Sequence, residues 1–264
     1  MTSRELETLV IDVEESGVVT VTMNRPHVKN AANAAMWREL RETWTEIALD
    51  PSVRVLVMTG AGGDFCSGAD VSGGGGEGPE RHQLQAMTEI HLTALALHSI
   101  TVPVIARIDG VAAGAGLNLA LACDLIVASD RARFSEIFAR RGLSVDFGGT
   151  YVLPRLVGLH KAKELALLAE VIDAAEAERI GIVNRIVPVD ELDAFVAGWA
   201  SRLAAGPPLA LAMTKRMLDM GATGALTAQL DAEGFAQTVN LASEDTREAM
   251  RAFLEKRDPT FRGR

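Results

Sequence analysis

The sequence predicts an α/β protein that ends in a helical region. Short apolar runs bounded by turns, at 53–59, 104–108 and 124–129, read as buried strands. Segments with helical spacing separate them, and past residue 155 helical signals dominate while strand signals nearly vanish. On alternation alone the α/β part is expected to be a doubly wound sheet. The chain has 264 residues, 48% of them hydrophobic, which is enough for one large domain with a sizeable core. We expect a core over 1–195 and a helical region over 196–264.

The elements follow in order. Residues 8–13 and 17–23 form a hairpin, because Val19, Val21 and Met23 alternate with Thr20 and Thr22 and Glu15-Ser16-Gly17 supplies the turn. A helix runs from about 32 to 49. Met36, Leu40, Trp44 and Ile47 fall on one of its faces, and Asp50-Pro51 stops it. A strand over 53–59 leads to a glycine-rich loop and a helix near 80–98. A strand at 104–108, a helix at 117–123 and a strand at 124–129 come next. Asp173 and Glu176 have capping-box spacing. Pro207-Pro208 opens a helix to about 218, and 244–264 is charge-rich and amphipathic.

Composition and patterning exclude several classes. With 35 acidic and 26 basic side chains the formal charge is −9, which disfavours nucleic acid as a partner. The longest nearly apolar stretch, 111–128, contains Asn118 and Asp124, so no membrane span is expected. The first residues have no apolar signal region. Cys66 and Cys123 make neither a disulfide framework nor a metal spacing. His91 and His98 share a helical face but have no suitably spaced third ligand, so no metal is expected. The expected compartment is the cytoplasm.

Two glycine-rich turns follow predicted strands, at 60–70 and 109–116. Such turns bring backbone N–H groups close to a ligand, or they are simply tight turns. Neither is a phosphate loop, since no Gly-Lys-Ser/Thr follows. Gly114-Ala115-Gly116 lacks the third glycine of a dinucleotide fold, because Leu119 stands there. Ser67 lacks the flanking glycines of a hydrolase elbow. Asn118 is either a buried amide bonded to backbone or a polar group of a site. Asp146 stands alone between apolar residues, before Gly148-Gly149-Thr150. It is either a helix cap or a carboxylate whose burial raises its pKa toward proton transfer.

Taken in order, several segments resemble the enoyl-CoA hydratase/isomerase (crotonase) superfamily. They are Met23-Asn24-Arg25-Pro26 with Asn30-Ala31, Asp64 through Asp70, Gly110 to Leu121 with Ala122-Cys123-Asp124, Phe134 with Gly142-Leu143 and Gly148-Gly149-Thr150, Leu153 through Gly158, and Ala177 with Gly181-Ile182-Val183-Asn184. The resemblance spans roughly residues 8–262. It implies a spiral of ββα turns rather than a doubly wound sheet, with C-terminal helices that build homotrimers, usually paired into hexamers. It implies an acyl-CoA thioester substrate, coenzyme A being part of that substrate and no separate cofactor being bound. The N–H groups of Ala69 and Ala115 would form the oxyanion hole. Lys29, Ala31, Ser67, Gly68, Asp70, Val71 and Gly116 would line the coenzyme A path, with Lys29 facing a phosphate. Phe253 and Lys256 would reach a neighbouring subunit's ligand.

The two glutamates of typical hydratases fall on Asn118 and Phe138. Counted from Phe134 to Gly142, Glu136 is two residues out of register. The segment around Asp146 is similar to isomerising relatives of the phenylacetate pathway, in which an aspartate shuttles the proton. The resemblance therefore implies an enoyl-CoA isomerase with Asp146 as acid/base, and with Asn118, Phe138 and Leu143 along the acyl chain. A hydratase, or a non-catalytic acyl-CoA-binding protein, are the alternatives. The glycines of 71–79 are expected to form a mobile flap over the acyl group.

Overall fold

The computed structural model describes residues 1–71 and 83–264. The flap expected at 71–79 lies, from residue 72 on, outside the described residues. A short β1 (Arg4–Glu5) pairs with β2 (Leu9–Val13), which forms the expected hairpin with β3 (Val18–Met23). Gly17, at φ +84°, makes the turn. Helix α1 (Ala34–Leu49) begins at Asn33, whose side chain accepts from Met36 N. Met36, Leu40, Trp44 and Ile47 are all buried, as their spacing predicts.

The strand β4 (Val55–Gly60) precedes α2 (Gln83–His98), and β5 (Val104–Ile108) follows. The chain then departs from a doubly wound path. Instead of entering a helix, it turns at Asp109-Gly110 into a second strand, β6 (Val111–Ala113), and only then into α3 (Ala115–Leu121). The turn repeats between β7 (Leu125–Ser129) and β8 (Arg133–Ser135). Helices α4 (Gly149–Val157) and α5 (Leu159–Leu168) follow, then β9 (Ile172–Asp173), α6 (Ala174–Arg179) and β10 (Arg185–Val187). Asp173 caps α6 by accepting from Glu176 N, while the Glu176 carboxylate pairs with Arg179.

Two sheets result. The large one has the order β1-β2-β3-β4-β5-β7-β10, parallel from β3 onward, and the small one the order β6-β8-β9. The corner residues explain why the expected doubly wound sheet does not form. Gly110 is at φ +61°, and a side chain there would overlap Gly63 and Asp64, so only glycine makes this turn. Asp109 in turn accepts from Ser129 and Arg131, both at 2.7 Å, which ties one corner to the next.

The large sheet is buried on both sides. Leu56 and Met58 of β4 face the main core with α1, while Val55 and Val57 face a second cluster. That cluster includes Leu192, Val196 and Ala200 of α7 (Leu192–Ala204). Residue 195, where the core was expected to end, lies inside α7. Then come α8 (Pro208–Gly221), α9 (Leu226–Ala242) and α10 (Glu244–Glu255), the first opened by Pro207-Pro208 as expected. These three helices expose Leu218, Leu226, Phe235, Phe253 and Leu254. Among the described residues no helix is long and apolar enough to cross a membrane.

Candidate active site

The two glycine-rich turns meet. Cys66 and Ala112 bridge in parallel, and Ala113 N donates to Cys66 O at 2.9 Å. A methyl on Gly68 would sit 3.1 Å from Ala113 O and 3.7 Å from Ala115 N. A methyl on Gly116 would overlap the Cys66 carbonyl. These glycines therefore let the Cys66–Ala69 backbone lie against the start of α3. Around Ala69 the neighbouring amides are already used: Ala32 N donates to Gly68 O (2.8 Å) and Asp70 N to Ala32 O (2.9 Å). Among the described residues, the N–H groups of Ala69 and Ala115 make no backbone hydrogen bond. Ala115 is in the first turn of its helix, where an N–H has no intrahelical acceptor. Two unspent donors stand at adjoining turns.

The same ladder extends outward. Ser67 N donates to Lys29 O at 3.0 Å and Ser67 Oγ to Val28 O at 3.2 Å. Arg25 pairs with Asp70 at 2.8 Å and also donates to Ala31 O. Asn30, fully buried at φ 55°, donates to Ala61 O and Asp64 O and accepts from Arg25 N. The Lys29 ammonium is well exposed, 3.7 Å from the Asp64 carboxylate. Thus Lys29, Ala31, Ser67, Gly68 and Asp70 form one rim leading to Ala69, and Val71, next along the chain, is exposed.

On the inner side, Asn118 of α3 is 1% exposed. Its Nδ2 donates to the Asp146 carbonyl at 2.9 Å and, at 3.5 Å, to Glu136 Oε2. A side chain on Gly149 would overlap this amide, so α4 starts with its backbone against Asn118. Phe147, at φ 49°, is buried against Trp37 with ring centroids 5.4 Å apart. A bulky residue at positive φ is strained, and this burial holds it there. The Asp146 loop is thus fixed from three sides. Phe138 is buried too, its ring 3.7 Å from where a Gly114 methyl would lie, while Leu143 is exposed.

Asp146 does not cap α4. The cap position is Gly148 at φ 80°, with no side-chain cap bond. Burial instead pushes the Asp146 carboxyl up to about 6, opposed by the charge of His91 on α2. Glu136, out of register in linear counting, is 1% exposed and sits beside Asn118. Burial pushes it up to about 7, the Asn118 amide opposing and the Asp146 charge reinforcing. Sequence reasoning set both Glu136 and His91 aside. The missing signal was the pairing of β6 with β8, which sets Ala113 opposite Ser135 and so brings residue 136 to the start of α3.

Among the described residues, no group of three His, Cys, Asp or Glu side chains is arranged to hold a metal. The glycine corners, paired sheets and adjoining N–H turns define a crotonase-type spiral. The enoyl-CoA hydratase/isomerase family model matches residues 13–264, and the chain belongs to that family. It is 41% identical over 248 residues to a Rhodobacter capsulatus protein named "Probable enoyl-CoA hydratase", covering 94% of this chain and 95% of the relative. It is 36% identical over 253 residues to the 1,2-epoxyphenylacetyl-CoA isomerase of Escherichia coli, covering 95% and 97%. The crystal structure of the enoyl-CoA hydratase from Bacillus anthracis superposes with a TM-score of 0.92 at 32% identity, covering 98% of this chain and all of that one.

Proposed function

We propose that this family member is an enoyl-CoA isomerase, with Asp146 as the proton shuttle. Asp146 carries the reading: it is an ionisable group near neutrality whose Oδ1 is buried without a partner among the described residues. The carboxylate takes a proton from C2 of a 3-enoyl-CoA. The C2–H electron pair becomes a dienolate, whose oxygen accepts from the Ala69 and Ala115 N–H groups. Asp146 then returns the proton to C4, leaving the double bond at C2–C3. Donors of this type stabilise the charged state by roughly 3–4 kcal/mol each. Coenzyme A lies along the Lys29–Val71 rim, with Lys29 near a phosphate. Asn118 fixes the Asp146 loop, and Phe138 and Leu143 border the acyl chain.

The test is turnover of 3-enoyl-CoA esters. Asp146→Asn is expected to lower kcat by about 10²- to 10⁴-fold. In the wild type kcat/KM is expected to fall as pH drops through about 6, because the base must be ionised. A variant with near-full activity removes the role of Asp146. Hydration is the second reading, favoured by the buried Glu136 and by relatives named as hydratases. Crotonyl-CoA hydration retained in Asp146→Asn would select it. The exposed apolar side chains of α8, α9 and α10 support a homotrimer or a pair of trimers. Sedimentation showing a single chain at micromolar concentration would refute that assembly.

A further inference from the structure

Three buried acceptor atoms, Asn118 Oδ1, Glu136 Oε1 and Asp146 Oδ1, lack a hydrogen-bond partner among the described residues. Asn118 Nδ2 donates to the Glu136 carboxylate and to the backbone carbonyl of Asp146, and the Asp146 charge reaches Glu136. Acceptors gathered away from water, with one amide to serve them, are short of protons. An unmatched buried acceptor is destabilising, and a second buried negative charge is more so. The cheapest supply is a proton on one of the carboxyl groups.

We propose that Glu136 and Asp146 hold one proton between them, resting on Glu136, so that Glu136 is a positioning residue that leaves Asp146 free as the base. Burial favours this assignment, because Glu136 is 1% exposed whereas Asp146 is only half-buried. The order of the two pKa values, about 7 and about 6, agrees with it.

The surroundings supply little other charge. Neither α3 nor β6 has an ionisable side chain. From α2, His91 acts on Asp146, and His98 stands 3.8 Å from where a Gly148 methyl would lie, its pKa lowered by burial. Arg133 of β8, Arg140 and Arg141 of the turn after it, Arg155 of α4, and His160 and Lys163 of α5 are exposed. Lys161 pairs with Glu164, Glu176 with Arg179, and Asp173 caps α6.

The arrangement keeps the charge of the pocket constant, which bears on the isomerase reading above. At rest the pair carries one negative charge, on Asp146. After Asp146 takes the C2 proton, that charge is on the dienolate. If Glu136 also ionised, a dienolate would have to form beside a second anion.

Two measurements test this. Infrared spectra of protein with 13C-labelled glutamate read the proton without any turnover. A neutral glutamic-acid band is expected at about pH 6 that bleaches as pH rises through about 7. It should be absent in Glu136→Gln and should bleach at lower pH in Asp146→Asn, which removes the neighbouring charge. A purely structural glutamate would give no such band, or one that Asp146→Asn leaves in place, and either result overturns the proposal. The second measurement is the pH profile of kcat/KM on 3-enoyl-CoA. The wild type should fall about tenfold above pH about 8, and Glu136→Gln should lose that fall. A fall retained in the variant also overturns the proposal. If no isomerase turnover is found, that reading fails while the infrared result still decides this one.

Discussion

The two halves of the site are built by different means. The half around Ala69 and Ala115 is backbone, shaped by glycines that let two turns touch. The half around Asn118, Glu136 and Asp146 is side chain, with buried acceptors from three separate segments and one amide that ties the Glu136 carboxylate to the Asp146 backbone. The first positions donors by local conformation, and no single side chain carries its chemistry. The second sets proton affinities by burial and nearby charge.

Substitutions separate the halves. Gly116→Ala drives a methyl into the Cys66 carbonyl and displaces Ala69 from Ala115. We expect kcat/KM to drop about 10²- to 10³-fold with the pH profile unchanged in shape, as for loss of one oxyanion donor. A shifted profile would mean that the halves are coupled.

Glu136→Gln acts on the other half and is best read by stability. The folded state raises the Glu136 pKa from 4.5 to about 7, so the neutral acid favours folding. That contribution is present below pH 4.5 and is lost as pH rises through about 7. The glutamine variant escapes the loss. In urea unfolding it should be more stable than wild type above pH 7 by up to about 3 kcal/mol, the gap closing toward pH 4. A gap independent of pH would contradict the raised pKa.

Smaller effects complete the series. Gly149→Ala forces the Asn118 amide to move and so loosens the Asp146 carbonyl. We expect about a tenfold loss in kcat, with the acid limb of the profile displaced. Lys29→Ala, on the exposed rim, should raise KM for the thioester about threefold at low salt and less at high salt, with kcat unchanged. An effect on kcat would place Lys29 nearer the chemistry than the rim.

Much of the backbone half was legible in the sequence. Asp64 through Asp70 and Gly110 through Gly116 are clusters of small residues after apolar runs, and local conformational freedom is a property of residue type. The hairpin, the buried stripe of α1 and the Asp173 cap were legible for the same reason. Asp146 was visible as a lone carboxylate, but only the tertiary structure removes the cap reading, because Gly148 holds the cap position of α4. The burial of Glu136 beside Asn118 was not legible, because linear counting gives register along the chain and not position in space. Strand β8 ends at Ser135 and a tight helical turn starts at Ile137, so residue 136 turns in beside Asn118 while Phe138 packs near Gly114.

By itself the sequence determined an α/β core, a helical end, two donor-bearing turns and a candidate base. Periodicity, caps and glycine placement act over a few residues, and those are read directly from order along the chain. Only the tertiary structure decided that the strands divide into two sheets, and that residues 91, 118, 136 and 146 share one surrounding. Proton affinity depends on burial and on charges brought near through space, and no spacing along the chain contains that information.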